Sequence, residues 1–286
     1  MINRGDLKHK AKSQLKERYW NYLGVSLIPS LVSYIISIPI SLIAQGLILT
    51  GVISAVTIDN ASGDLFRDIV ERYSVMDFEG IFDLIESNPD PFVLIKGFMP
   101  GYAFLMISEI LISVLVMAPI IVGITRWFIR SRETAKVRVN VCFSSFKGSV
   151  YFKTVGSMLY YNIWLILWFM LFYIPGIIKS YSYSMIPYIL ADNPEIGAKR
   201  ALKLSNQMTR GHKFEIFILD ISFIGWYLLG FMACCIGVVA VTPYVNATMA
   251  ELYDTLKKEA VESGACTMEE LGYVPVFQDS GAGDHE

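Results

Sequence analysis

The sequence predicts an all-α, polytopic membrane protein, a transmembrane helical bundle of about six spans. Two observations carry that prediction. Hydrophobic residues make up 54% of the chain and charged residues only 17%, where a water-soluble domain of this size carries about 25% charged residues; the mean hydropathy is +0.47. The charges are also segregated. Residues 1–20 hold six Lys/Arg, residues 126–153 hold seven and residues 192–213 hold five, which is 18 of the 24 basic residues. Segment 59–98 is the reverse, with nine Asp/Glu against Arg67, Arg72 and Lys96. Loops retained in the cytoplasm are enriched in Lys and Arg, so the alternation reads as three basic cytoplasmic segments and one acidic extracytoplasmic insert.

A helix needs about 20 apolar residues to cross the hydrocarbon core. The first uncharged run, Tyr19 to Ile58, suits one tilted span at about 22–50, with Pro29 and Pro39 as kinks. A hairpin there would put the acidic insert inside and the basic 126–153 segment outside, against the charge rule. The second span, about 101–125, returns to Arg126 and Trp127. The apolar region 154–191 is interrupted only by Lys179 and has basic segments on both sides, so it requires two spans, about 154–170 and 172–191, turning between Trp168 and Pro175. The last region, Phe214 to Ala250, takes two more, about 214–231 and 235–252, turning around Phe231 to Ile236. Lys257 and Lys258 then favour a cytoplasmic C-terminus. Five spans with the tail outside is the alternative.

The membrane domain is thus 1–258. Residues 259–286 read as a disordered acidic tail. The N-terminal region is no cleavable signal peptide, because its apolar stretch is too long for one and ends in no small-x-small site. Within the insert, apolar residues at helical spacing over 65–73 and 78–85 predict two amphipathic helices, ended by Asn88-Pro89-Asp90-Pro91.

The basic segments echo one another. Ser13-Gln-Leu-Lys-Glu-Arg-Tyr-Trp, Ser144-Ser-Phe-Lys-Gly-Ser-Val-Tyr and Ser205-Asn-Gln-Met-Thr-Arg-Gly-His lead into spans one, three and five. Ala118-Pro119, Ile174-Pro175 and Thr242-Pro243 mark the second helix of each pair. Internal repeats are common in membrane folds, and this one suggests three hairpins, each entered through an amphipathic cytoplasmic helix.

Charges inside spans are costly and are functional candidates by default. Glu109, Lys179 and Asp220 qualify. Glu109 and Lys179 fall at similar depths, and pairing offsets desolvation, so an ion pair between them is expected. It serves structure or a solute or proton site equally well. Asp220, about two turns from the cytoplasmic boundary, reads first as a snorkelling carboxylate that meets Arg126 or Lys213. Ser180 and Ser184, one turn apart beside Lys179, either line a cavity or bond back onto their own helix. Asn162, Asn246 and Glu251 are candidates for interhelical hydrogen bonds. Trp20, Trp127, Tyr151 and Phe152 form an aromatic belt. The four cysteines, Cys142, Cys234, Cys235 and Cys266, have no metal-site spacing and read as small apolar residues.

The chain carries no Walker loop, no His-Glu-x-x-His and no Gly-x-Ser-x-Gly, and it has only three His. The expectation is therefore no enzyme, no cofactor and no bound metal. The expected partners are the bilayer, with anionic headgroups at the basic segments, and a second copy or another membrane protein. No nucleic-acid framework accompanies the basic residues.

Six motifs occur in order in the second half: Tyr173-Ile-Pro-Gly-Ile-Ile, Tyr188-Ile-Leu-Ala-Asp-Asn-Pro, Ala201-Leu-Lys-Leu-Ser205, Gly211-His-Lys, Ile221-Ser-Phe-Ile-Gly-Trp226 and Thr242-Pro-Tyr244. Together they resemble the bacterial integral membrane proteins grouped as domain of unknown function 975, over about residues 1–25 and 100–258. The Pro-Gly and Ala-Leu-x-x-Ser pattern is more distantly similar to the membrane anchor of some glycerophosphodiester phosphodiesterases, but no phosphodiesterase domain follows. The resemblance implies the bacterial plasma membrane and brings no site residues. Two functions stay open: a non-enzymatic component that organises lipid or partner proteins at the cytoplasmic face, or a small permease with a polar path between spans two and four.

Overall fold

The computed structural model describes residues 2–58, 93–134, 136–232 and 236–273, with isolated positions between 68 and 83. Among the described residues the secondary structure is helical, with no strand. In chain order the helices are α1 (Arg4–Ile58), α2 (Val93–Glu133), a 3-10 segment (Val139–Phe146), α3 (Gly148–Leu171), α4 (Tyr173–Ser182), α5 (Ile186–Asp192), α6 (Ala198–Met208), α7 (Lys213–Met232) and α8 (Ile236–Glu262). Among the described residues four helices are long and apolar enough to cross a membrane: Arg18–Gly46, Ala103–Glu133, Gly148–Leu171 and Lys213–Met232. The chain divides into two compact units, Leu31–Ser113 and the remainder (Met1–Ser30 with Val114–Glu286).

In the unit Leu31–Ser113, large apolar side chains stand open along both helices. Leu31, Tyr34, Ile35, Ile38 and Leu42 do so on α1, and Phe104, Ile107, Ile110 and Leu111 on α2. A helix that is apolar all round belongs in lipid or in a core. The amphipathic segments expected at 65–73 and 78–85 lie mostly outside the described residues; of the insert's ion pairs, Arg72 with Asp77 is seen at 2.9 Å.

The other unit holds the core. Its centre is α5, where Ile186, Ile189 and Leu190 are wholly buried. Around it α6 turns Ala201, Leu204, Ser205 and Met208 inward, a spacing of i, i+3, i+4, i+7 that puts all four on one face. Lys199 and Lys203 stay outside. From α7 come Ile216, Leu219 and Phe223, and from α8 Leu252, Tyr253 and Leu256. The first four turns of α1 add Leu7, Ala11 and Leu15, buried while Arg4, Asp6, His9, Lys10, Lys12 and Lys16 are exposed.

Several expectations change here. In α1 the helical backbone breaks at Arg18 (φ −130°, ψ 20°), not at Pro29 or Pro39. Arg18 donates to the carbonyls of Ser131 and Thr134 at the end of α2, which fixes the bend by tertiary bonds rather than by a proline. Residues 172–191 do not form one continuous helix. The turn from α3 falls at Phe172, inside the expected window, but α4 is only 10 residues long, roughly 15 Å, and α5 has 7. The break is held from outside: the Ser182 carbonyl accepts the hydroxyls of Ser205 (2.8 Å) and Thr209 (3.3 Å), and the Met185 N–H donates to Ser205 Oγ at 3.3 Å. Pro187 has no N–H with which to rejoin the helix. The three basic lead-ins share no single conformation either. Ser13–Trp20 is helical, Ser144–Tyr151 passes from 3-10 through a bend, and Ser205–His212 leaves a helix for turns.

The tail expected to be disordered from 259 is packed as far as Tyr273. Helix α8 runs to Glu262, and the turns after it bury Cys266 and Leu271. Composition missed these because the segment is mostly polar, with a few apolar anchors. Residues 274–286 lie outside the described ones.

Candidate functional site

The first turns of α1 lie alongside α7 in constant register. The Ile2 N–H donates to Glu215 Oε2 at 3.0 Å, and Lys8 Nζ donates to Ser222 Oγ at 2.5 Å, also standing 4.9 Å from the Phe223 ring. Lys12 Nζ lies 5.6 Å from the Trp226 ring and 5.7 Å from that of Tyr244 on α8. The Tyr19 hydroxyl then donates to the Ala240 carbonyl at 3.0 Å.

Between these helices runs a groove of about 590 Å³ lined by Lys12, Leu15, Lys16, Tyr19, Trp226, Ala240, Val241 and Tyr244. On α1 the lining falls at i, i+3, i+4, i+7, a single face. Its walls are apolar and aromatic, and its rim carries two ammonium groups. Neither Lys12 nor Lys16 has an ion-pair partner among the described residues. Burial, then the neighbouring charges of Lys12 and Arg4, push the Lys8 ammonium below its ordinary pKa. Like charges crowded together favour an anion.

Two further polar clusters tie the unit together. Arg132 forks to Glu251 (2.8 Å) and Asp254 (2.8 Å), with all three side chains largely buried, and Gln14 Nε2 donates to Glu251 at 2.5 Å. Burial alone would raise Asp254, but Arg132 and Lys258 outweigh it and hold that carboxyl down at about 2. Deeper, Lys257 Nζ meets the Tyr273 hydroxyl at 2.8 Å and Asp192 at 3.4 Å, and Tyr253 donates to Asp192 at 2.8 Å. Burial would lower Lys257; Asp192 and Tyr273 outweigh it and raise it, so the ammonium stays charged. Arg126 donates to the Ala191 carbonyl at 2.6 Å and to Ser144 at 2.7 Å, where a cation suits a helix C-terminus. Arg200 pairs with Glu270 and bonds the Ala265 carbonyl.

Lys179, Ser180, Ser184 and Asp220, singled out in the sequence, each meet a partner of their own. Ser180 Oγ donates to the Ile177 carbonyl and Ser184 Oγ to that of Tyr181, so both hydroxyls bond back onto their own segment. Ser184 falls beyond the end of α4, which removes the shared helical stripe. Lys179 Nζ stands over the rings of Trp168 (4.8 Å) and Tyr183 (5.8 Å). Asp220 faces the Tyr181 hydroxyl; Arg126 and Lys213, the partners expected for it, bond elsewhere. Glu109 lies half-buried in α2, in the unit Leu31–Ser113, while Lys179 lies in the other. Asn162 bonds back to Met158, Asn246 reaches Ser26 on α1 at 3.4 Å, and Glu251 takes Arg132. Cys142 and Cys266 are free and buried, and burial raises the Cys142 thiol to about 11.

The groove and the Asp192–Lys257 cluster were missed by sequence reasoning. Lys12 and Lys16 were counted only within a basic segment that orients the chain and attracts anionic headgroups, and Lys257 only as a marker of the inner face. Asp192 and Asn193 did stand in one of the six motifs, and their contacts give that motif a physical role.

A family model described as "Protein of unknown function (DUF975)" matches residues 1–260. The match includes the acidic insert, which the motif-bearing stretches 1–25 and 100–258 had left out. No curated protein and no solved structure matches the chain.

Proposed function

The chain belongs to the DUF975 family, and from that premise and the groove we propose that it is a non-enzymatic, multi-pass protein of the bacterial plasma membrane that organises anionic lipid at the cytoplasmic face. The carrying observation is the groove itself, an apolar aromatic cleft with the ammonium groups of Lys12 and Lys16 at its rim, neither of them in an ion pair among the described residues. An anionic headgroup would sit between the two lysines, each contributing about 1 kcal/mol near a membrane surface. An acyl chain would follow Leu15, Ala240 and Val241, and Trp226, Tyr19 and Tyr244 suit the interfacial level. The enrichment of cytoplasmic loops in Lys and Arg supports the same orientation, with both termini on the cytoplasmic side.

The permease reading draws less support. The Ser180 and Ser184 hydroxyls are taken up by their own backbone, and the Lys179 ammonium is stacked against aromatic rings. A deletion strain compared with wild type separates the two. Altered membrane lipid composition with unchanged solute uptake is the expected result; altered uptake with unchanged lipid overturns the proposal.

A further inference from the structure

Helix α7 has 20 residues, about 30 Å at 1.5 Å per residue, so its length alone would cross the hydrocarbon core. What lies beside it does not permit that. The charged first turns of α1 run in step with α7 from Glu215 through Ser222 to Trp226. Their outer face exposes Arg4, Asp6, His9, Lys10 and Lys16. A charge at the bilayer centre is costly, and long side chains relieve it by snorkelling to the interface. Here the contacts place the Lys8 and Lys12 ammonium groups themselves, at the levels of Ser222 and Trp226. On the other flank, the part of α8 beside the start of α7 carries Glu251, Asp254, Lys257, Lys258 and Glu259, and Glu259 reaches His212 at 2.8 Å. The start of α7 is therefore flanked by charge on both sides, and the α1 side stays charged as far as Trp226, which puts this stretch at the water–headgroup boundary.

Only the tip is left to enter hydrocarbon. From Trp226 to Met232 is six residues, about 9 Å of helix, against about 15 Å for one leaflet's share of a ~30 Å core. The return arm agrees, because Tyr19 marks the same boundary at Ala240. Leu228, Leu229, Phe231 and Met232 stand 60–82% exposed, and no charge occurs between Asp220 and Glu251. The two arms close tightly: a Cβ on Gly230 would fall 2.5 Å from the Gly237 carbonyl carbon.

We propose that the α7–α8 hairpin is a wedge whose apolar tip ends within the acyl chains of one leaflet, the leaflet carrying the N-terminal helix, and never reaches the far face. The inference does not depend on the groove's binding lipid.

The test is a depth profile. Single cysteines at Phe214, Ile221, Ile224, Leu228 and Met232, in a background with the four native cysteines replaced by alanine and an unchanged melting curve, are spin-labelled in proteoliposomes. Accessibility to oxygen against a water-soluble nickel chelate then gives depth. The wedge predicts depth rising steadily to a maximum at Met232. A profile that peaks near Ile221–Ile224 and falls again by Met232 describes a full crossing and overturns it, as does nickel access along the whole helix. In the same proteoliposomes the cysteine at Met232 should resist a membrane-impermeant maleimide added to the face opposite the N-terminus; labelling there also overturns it.

Discussion

Lys257 and Asp192 show how much of this molecule rests on single side chains. Both are nearly inaccessible, and the tyrosines 253 and 273 complete their hydrogen bonds. Removing one member of a buried pair leaves an uncompensated charge, at a cost of about 3–5 kcal/mol. Lys257→Met should therefore lower the thermal midpoint sharply, and adding Asp192→Asn should recover much of the loss. If the double variant is no better than the single one, the pair is not coupled.

Asp254 gives a pH signature. In the folded protein its carboxyl sits at about 2, below its ordinary value of 3.8, so its contribution is complete above that ordinary value and is lost as pH falls from about 4 through 2. The difference corresponds to roughly 2 kcal/mol. Stability measured from pH 5 to pH 2 should fall more steeply in wild type than in Asp254→Asn; parallel curves would remove Asp254 from the account.

At the scale of elements, the break between α4 and α5 is held chiefly by the Ser205 hydroxyl, with Thr209 beside it. Ser205 both accepts from Met185 and donates to the Ser182 carbonyl. Ser205→Ala strands the buried Met185 N–H and leaves the Ser182 carbonyl to Thr209 alone, which costs about 1–3 kcal/mol, whereas Ser180→Ala, whose hydroxyl only bonds back onto its own helix, should change the thermal midpoint little. Equal effects would contradict this reading of the break. Gly230→Leu should open the α7–α8 hairpin, since even a Cβ there meets backbone.

These elements differ in how legible they were. The turn at Phe172, both ends of α7 and the start of α8 could be read because charge and chain length constrain them locally. The break at 183–185 could not, because its cause sits 20 residues away in an apolar stretch that reads as a span.

For the whole molecule, the charge alternation identified the membrane class and the basic face, but not what the basic residues touch. Lys8 and Lys12 are ordinary lysines in sequence; only the register of α1 against α7 turns them into markers of depth and the rim of a groove. That register could not be read, because the partners lie more than 200 positions apart.

The groove is the centre of the functional account, and lipid retained by the purified protein tests it most directly. Wild type and the Lys12→Gln/Lys16→Gln variant would be equilibrated with equal amounts of phosphatidylglycerol and phosphatidylcholine, and the bound lipid counted by native mass spectrometry. The account predicts that wild type retains the anionic lipid preferentially. The variant should lose about 2 kcal/mol of that preference, a roughly thirtyfold drop, with its melting curve unchanged. Equal retention of the two lipids by wild type, or an undiminished preference in the variant, would contradict it.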